Sequence, residues 1–233
     1  MLRSADKSRT LRGVLASPSA RVVVIGAGLA GLAVAARLVS AGQDVLVLEG
    51  SGRAGGQIHT FRECGLIVEL GAEGFVARGR AVPALAQLLG IEGSLVEQLS
   101  TDTYAVEGSE LALLPPGEAA RRLGFQVPAE ELGRGIRSFA LGMGELVDAL
   151  LARVGAQRVR LNTNVAALRR RADGLSVELA DGQHESARAI VLAAPARIGS
   201  KLVASLGLAE SAPLATAPLM SNVGVNLLYS SAQ

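Results

Sequence analysis

The sequence predicts an α/β fold built on a parallel sheet, and three observations lead there. Val22–Ile25 and Val45–Leu48 are short, uninterrupted apolar runs, the pattern of strands buried on both faces. Between them Leu32, Ala35, Ala36 and Val39 recur at helical spacing as far as Ala41–Gly42. Gly26, Gly28 and Gly31 follow the first run at once. Strand, glycine turn, helix and second strand make a complete β-α-β unit.

The turn reads Gly26-Ala27-Gly28-Leu29-Ala30-Gly31, a GxGxxG. In such a turn the first glycine permits the tight exit from the strand. The second lets backbone approach a pyrophosphate, and the third lets the helix pack closely. The helix that starts here turns unpaired N–H groups and a positive dipole end toward phosphates. Glu49 closes the second strand 18 residues beyond Gly31, where a carboxylate can accept hydrogen bonds from a ribose hydroxyl. Strand, loop, helix, strand and acid in that order predict Rossmann-type dinucleotide binding.

Composition narrows the class. The 233 residues are 49% hydrophobic, enough for one large domain or two small ones. No apolar run reaches the roughly 18 residues that span a bilayer, so no transmembrane segment is expected. The net charge of +2 comes from arginine, since Lys7 and Lys201 are the only lysines. Arg169–Arg171 has no aromatic residues interleaved and reads as a solvated strand end, so no nucleic-acid partner is expected. Cys64 is the single cysteine; it excludes an intrachain disulfide and reads as a small apolar residue near a strand. His59 and His184 are isolated, and no metal site is expected.

Residues 1–20 are rich in Arg and Ser, with Asp6 the one acid and no long apolar stretch. That composition fits a transit peptide or an unstructured tail, and both stay open. After Glu49 and Gly50, Arg53, Gly55 and Gly56 form an RxGG element that runs into Gln57. With RVVVIGAGLAGL, VLVLEGSGRAGGQIHT and GLIVELGAEGF on the page, the chain resembles the flavin-containing amine oxidase superfamily, and its protoporphyrinogen oxidase branch most of all. Glu69–Phe75 is similar to the element with which these oxidases approach the flavin ring. Tyr104–Gly117 resembles their hairpin ending in a Leu-Pro turn, and Ser138–Leu151 their glycine turn and returning helix.

The resemblance implies FAD as cofactor, with a part for each segment. Gly26–Gly31 would hold the pyrophosphate, Glu49 the adenosine ribose, and Arg53 with Gly55, Gly56 and Gln57 the phosphates and flavin edge, with Gly50 a further cofactor-binding residue. Gly71, Ala72, Glu73 and Gly74 would face the isoalloxazine, Val165 the adenine, and Ala194 would end a strand close to the cofactor. Further along, Arg158–Leu161 reads as a parallel strand. Val165–Arg170, Leu175–Leu179 and Glu185–Leu192 are separated by Asp-Gly turns at Asp173–Gly174 and Asp181–Gly182, which predicts a three-stranded antiparallel meander. Ile190–Pro195 then re-enters the parallel sheet.

The expected architecture is therefore a Rossmann-type FAD-binding domain, with a parallel sheet and an antiparallel meander, plus a reduced remnant of a substrate domain. Its divisions are a tail over 1–20, flavin-domain segments over 21–98 and 138–199, a shortened substrate insert over 99–137, and the start of a further substrate segment over 200–233. Relative to the family, the helical region between Leu114 and Ser138 is short. NVGVNLLYSSAQ reads as the first strand of the later substrate segment, and the family's last flavin-contacting element has no counterpart. An incomplete sheet exposes an edge, so a homodimer, a partner chain, or Ala196–Gln233 repacked over that edge is expected.

The implied activity is oxidation of a small, porphyrinogen-like substrate with O2, as in conversion of protoporphyrinogen IX to protoporphyrin IX. A non-catalytic FAD- or partner-binding paralogue, or another amine oxidase- or desaturase-like enzyme, stays open beside it. The cytoplasm is the expected compartment, with a peripheral membrane location and an organellar one both left open. Because the isoalloxazine carries the redox chemistry, no catalytic side chain is assigned.

Overall fold

The computed structural model describes residues 21–77, 79–99, 102–122, 124, 135–172, 174–219 and 223–228. In chain order the first elements are β1 (Val22–Ile25), α1 (Leu29–Ser40), β2 (Val45–Leu48), β3 (Thr60–Glu63), β4 (Leu66–Glu69), β5 (Phe75–Val76), α2 (Ala81–Leu89), β6 (Leu95–Glu97), β7 (Tyr104–Glu107), β8 (Glu110–Leu113) and α3 (Glu118–Arg122). They are followed by β9 (Ile136–Phe139), α4 (Gly144–Val154), β10 (Val159–Arg160), β11 (Val165–Arg171), β12 (Gly174–Leu179), β13 (His184–Ala187), β14 (Ala189–Leu192), α5 (Ala196–Ala204) and α6 (Ser211–Ala215). The chain divides into two units, one from the described residues of 21–54 and 154–219, the other from those of 55–153 and 223–228.

The first unit is organised by a parallel sheet in the order β10-β2-β1-β14. All eight residues of β1 and β2 are buried, as their unbroken apolar runs require. Side chains alternate across a strand. Val23, Ile25, Leu46 and Leu48 therefore share one face, where they form a core with Leu168, Val177, Leu179 and Ala187 of the meander and Leu202 of α5. The alternate residues lie on the opposite face. Leu32, Ala35 and Ala36 of α1 are fully buried, the stripe read from their spacing.

The meander β11-β12-β13 forms as expected, with one correction. The third strand does not run from Glu185 to Leu192; it stops at Ala187, and β14 begins at Ala189 in the parallel sheet. Arg188 is the hinge, and its amide donates to the carbonyl of Arg21 at 3.0 Å. The chain thus changes partners from β12 to β1 within one residue, and Val22 then pairs with Ala189.

The second unit contains the β3–β4 hairpin, the antiparallel sheet β5-β9-β6 and the β7–β8 hairpin. Cys64 corrects another expectation, because it is exposed. It has φ 51° and is followed by Gly65 at φ 77°, the two left-handed residues of a tight hairpin turn. Phe75 and Phe139 pack with ring centroids 6.3 Å apart. Val223–Leu228, expected as part of a strand, has no strand pairing. Asn226 Nδ2 bonds the Glu69 carbonyl at 3.1 Å. Of the short region between Leu114 and Ser138, Glu118–Arg122 is helical; residues 123, 125–134 and the ends 1–20 and 229–233 lie outside the described residues.

The glycine turn tests this packing directly. Gly26 has φ +104°, and a Cβ there would stand 2.7 Å from the Ala193 carbonyl oxygen. Gly26→Ala is expected to cost about 2–3 kcal/mol, from backbone strain together with overpacking. Urea unfolding of both chains, compared at the same pH, measures it.

Candidate functional site

In the first unit Gly26–Gly31, Glu49, Gly50 and Ala194 follow the carboxyl ends of β1, β2 and β14. The amide of Gly26 bonds the Leu48 carbonyl at 2.8 Å, and that of Ala193 bonds the Ile25 carbonyl at 2.8 Å. The loop thus leaves β1 locked between its two neighbours. A Cβ on Gly26 would also meet the Ala194 nitrogen at 3.2 Å, and one on Gly31 would enter the Gly26 carbonyl and meet Ala193 Cβ at 3.2 Å. Both glycines therefore exist because strand end, helix start and β14 converge there, which brings Ala194 beside the loop.

Gly28 is the extended N-cap of α1, with φ −72°. No side chain caps this helix, and its first turn carries no acid. The first amides of a helix have no intrahelical partner, so those of Leu29, Ala30 and Gly31 present donors and the positive dipole end to an anion. The donor set fits the pyrophosphate of a dinucleotide. Ala27 is fully buried, whereas Ala30 is exposed.

Glu49 ties the ends of the β-α-β unit together. Its Oε2 accepts the Ala27 amide at 2.7 Å and its Oε1 the Ser51 amide at 2.9 Å. Burial acts to raise its pKa and is the largest single influence. The amides of Ser51 and Ala27, the Ser51 hydroxyl and the charge of Arg53 together outweigh it, and the carboxyl ionises below its ordinary value. A carboxylate has about four acceptor positions, so two amide bonds leave capacity for a ribose hydroxyl.

Beyond Glu49 the chain runs beside the approach to β11. The amide of Thr163 bonds the Glu49 carbonyl at 2.8 Å, and that of Asn162 the Ser51 carbonyl at 2.9 Å. Gly50 is exposed, and a Cβ on it would lie 2.5 Å from Asn164 Oδ1. Gly50 is thereby brought next to the neighbour of Val165, which is half-buried at the start of β11. Arg53 is exposed, and its carbonyl accepts the Ser51 hydroxyl at 2.8 Å.

In the second unit Gly55 and Gly56 both have positive φ, 107° and 60°, and Ile58 N bonds Gly55 O at 3.0 Å. Gln57 is brought against the Gly71–Gly74 segment. Its carbonyl accepts the Ala72 amide at 2.9 Å, and a Cβ on Gly71 would collide with it. Gly71, Ala72 and Glu73 are exposed and Gly74 half-buried. The Ser138 hydroxyl bonds the Glu73 carbonyl at 2.9 Å, while a Cβ on Gly74 would stand 2.6 Å from the Arg137 carbonyl.

Sequence reasoning missed the residues that hold this segment from the other side. Glu69 Oε1 accepts the Met143 amide at 2.6 Å, and Oε2 accepts the Thr60 hydroxyl at 2.8 Å. Thr60 Oγ1 accepts the Gly144 amide at 2.7 Å. Gly142, with φ +78°, leaves room for both: a Cβ there would lie 2.6 Å from Glu69 Oε1 and 2.6 Å from Thr60 Cγ2. The two glycines of Leu141-Gly142-Met143-Gly144 were the available signal.

The profile of the family described as flavin containing amine oxidoreductase matches residues 29–122 and 119–231, and the chain belongs to that family. FAD is the cofactor this membership implies. Coproporphyrinogen III oxidase of Staphylococcus aureus is 34% identical over 98 residues, covering 41% of this chain and 21% of the relative. Putrescine oxidase of Kocuria rosea is 36% identical over 140 residues, covering 58% and 26%. The fold is similar to that of a solved Exiguobacterium sp. 255-15 protein assigned as a protoporphyrinogen oxidase, with a TM-score of 0.66 and 18% identity, over 84% of this chain and 64% of that one. The matched part is thus about a fifth to a quarter of the curated relatives' length. The resemblance read from the sequence is borne out at the level of the superfamily, with the porphyrinogen oxidases among the relatives. No helix among the described residues is long and apolar enough to cross a membrane.

The bonds to Glu49 predict a pH dependence. Its folded pKa is depressed, so the stabilisation is fully present above the ordinary carboxyl value of 4.5 and is lost as pH falls through the lower folded value. Glu49→Gln is expected to lower stability by about 1–2 kcal/mol at neutral pH, after discounting for partial exposure. That difference vanishes in acid. Thermal unfolding of both chains across the acid range reads it.

Proposed function

We propose that this chain is an FAD-dependent oxidoreductase that oxidises a small, porphyrinogen-like molecule with O2. The observation that carries the proposal is the uncapped start of α1, with Glu49 fixed beside it at the carboxyl end of the parallel sheet. The amides of Leu29, Ala30 and Gly31, in the turn opened by Gly26, Ala27 and Gly28, would take the pyrophosphate. Glu49 would take the ribose, with Gly50 beside it, Val165 the adenine, and Ala194 would back the loop. Arg53, Gly55, Gly56 and Gln57 would serve the phosphates and flavin edge, and Gly71, Ala72, Glu73 and Gly74 the ring.

When bound, FAD supplies the electron acceptor for substrate and the donor for O2. The protein's residues bind and orient it. The names of the Staphylococcus aureus and Exiguobacterium relatives support a porphyrinogen substrate. A second reading, an amine substrate, is supported by the longer alignment to putrescine oxidase.

The test is the visible absorption spectrum of the purified chain before and after FAD, followed by anaerobic addition of protoporphyrinogen IX, coproporphyrinogen III or putrescine. The expected result is a bound-flavin spectrum that bleaches with a porphyrinogen and recovers in air. Bleaching with putrescine alone would establish the second reading. Bound flavin that no substrate bleaches would leave a non-catalytic binding protein, and no bound flavin would overturn the proposal.

A further inference from the structure

Gly71–Gly74 belongs to no strand, so its course is set by what grips it at each end. Downstream the grip is the Ser138 hydroxyl on the Glu73 carbonyl and the seat of Gly74 on Arg137. In the middle, the Gln57 carbonyl holds the Ala72 amide. Upstream, Glu69 at the end of β4 lies two residues before the segment, and its side chain reaches a different element altogether, the turn that opens α4.

We propose that Glu69 is a positioning residue for the flavin: by joining the end of β4 to Met143, the residue just before α4, it fixes where Gly71–Gly74 stands. This rests on the reading, given above, that Gly71–Gly74 faces the ring. A carboxylate suits the task better than an apolar contact. Its two oxygens take two donors, the Met143 amide and the Thr60 hydroxyl, and a carboxylate beside the start of a helix is favoured by the dipole. Thr60 extends the chain of bonds, donating to Glu69 and accepting from Gly144. The close approach is possible only because residue 142 is glycine in a left-handed conformation. Arg62 braces the same turn, through Leu141 O at 2.6 Å and Asp148 at 2.8 Å, without touching Glu69–Gly74 in any bond described. It therefore separates loss of the turn from loss of positioning.

The experiment compares wild type, Glu69→Ala, Glu69→Gln, Glu69→Asp and Arg62→Ala by FAD titration, the spectrum and midpoint potential of the bound flavin, and thermal unfolding of the FAD-free protein. Glu69→Ala is expected to raise the FAD dissociation constant about tenfold, the loss of a charged hydrogen bond, and to alter the bound spectrum and potential. Glu69→Gln restores them, because its amide oxygen accepts from Met143 while its nitrogen donates to Thr60. Arg62→Ala lowers the unfolding midpoint and leaves the bound spectrum and potential as in wild type. If Glu69→Ala fails to fold, Glu69→Asp carries the same test, since its carboxylate is one methylene short.

An unchanged affinity, spectrum and potential in Glu69→Ala and Glu69→Asp would overturn the inference alone. So would Arg62→Ala changing them as much as Glu69→Ala. A wild-type chain that takes up no FAD would overturn the underlying reading, and the inference with it.

Discussion

The bond from the Ala27 amide to Glu49 is the constraint on which the first unit's upper edge depends. It joins the loop after β1 to the residue after β2 at 2.7 Å. The Ser51 amide on the other carboxylate oxygen then fixes the chain that continues toward Arg53. Two elements that are already neighbours in the sheet are thereby tied again just beyond it. The loop gains a single conformation where glycine would otherwise allow many.

That rigidity has an electrostatic consequence. A helix start without a capping side chain is normally a weakness, since its first amides lack partners. Here the buried Ala27 and the packed Gly26 and Gly31 hold those amides at the sheet's edge, and the nearest acid is committed to loop and chain amides. The edge thus presents amide donors at α1 and spare carboxylate acceptor positions at Glu49. Function on such a fold resides in those few groups rather than in the fold as such.

Much of this was legible in the sequence because β1 and β2 are buried on both faces and must be apolar throughout; their bounds come out at Val22–Ile25 and Val45–Leu48. The meander was legible through its Asp-Gly turns. Other features depend on tertiary partners. The switch at Arg188 needs the Arg21 carbonyl beside it. Helix α2 begins without a capping side chain and contains Pro83, so it lacks the usual start signal. In the candidate site, the glycines and Glu49 were readable from local pattern. Glu69 was not, because its partner Met143 lies 74 residues away and nothing local marks a carboxylate as the cap of a distant helix.

The central claim is that the Glu49 carboxylate holds the Ala27 amide. Amide hydrogen exchange followed residue by residue tests it most directly. The account predicts slow exchange at Ala27 in the wild-type chain, and exchange that accelerates at Ala27 and Ser51 in Glu49→Ala while Val23 and Val24 stay protected. Rapid exchange at Ala27 in the wild-type chain, or protection unchanged by Glu49→Ala, would contradict it.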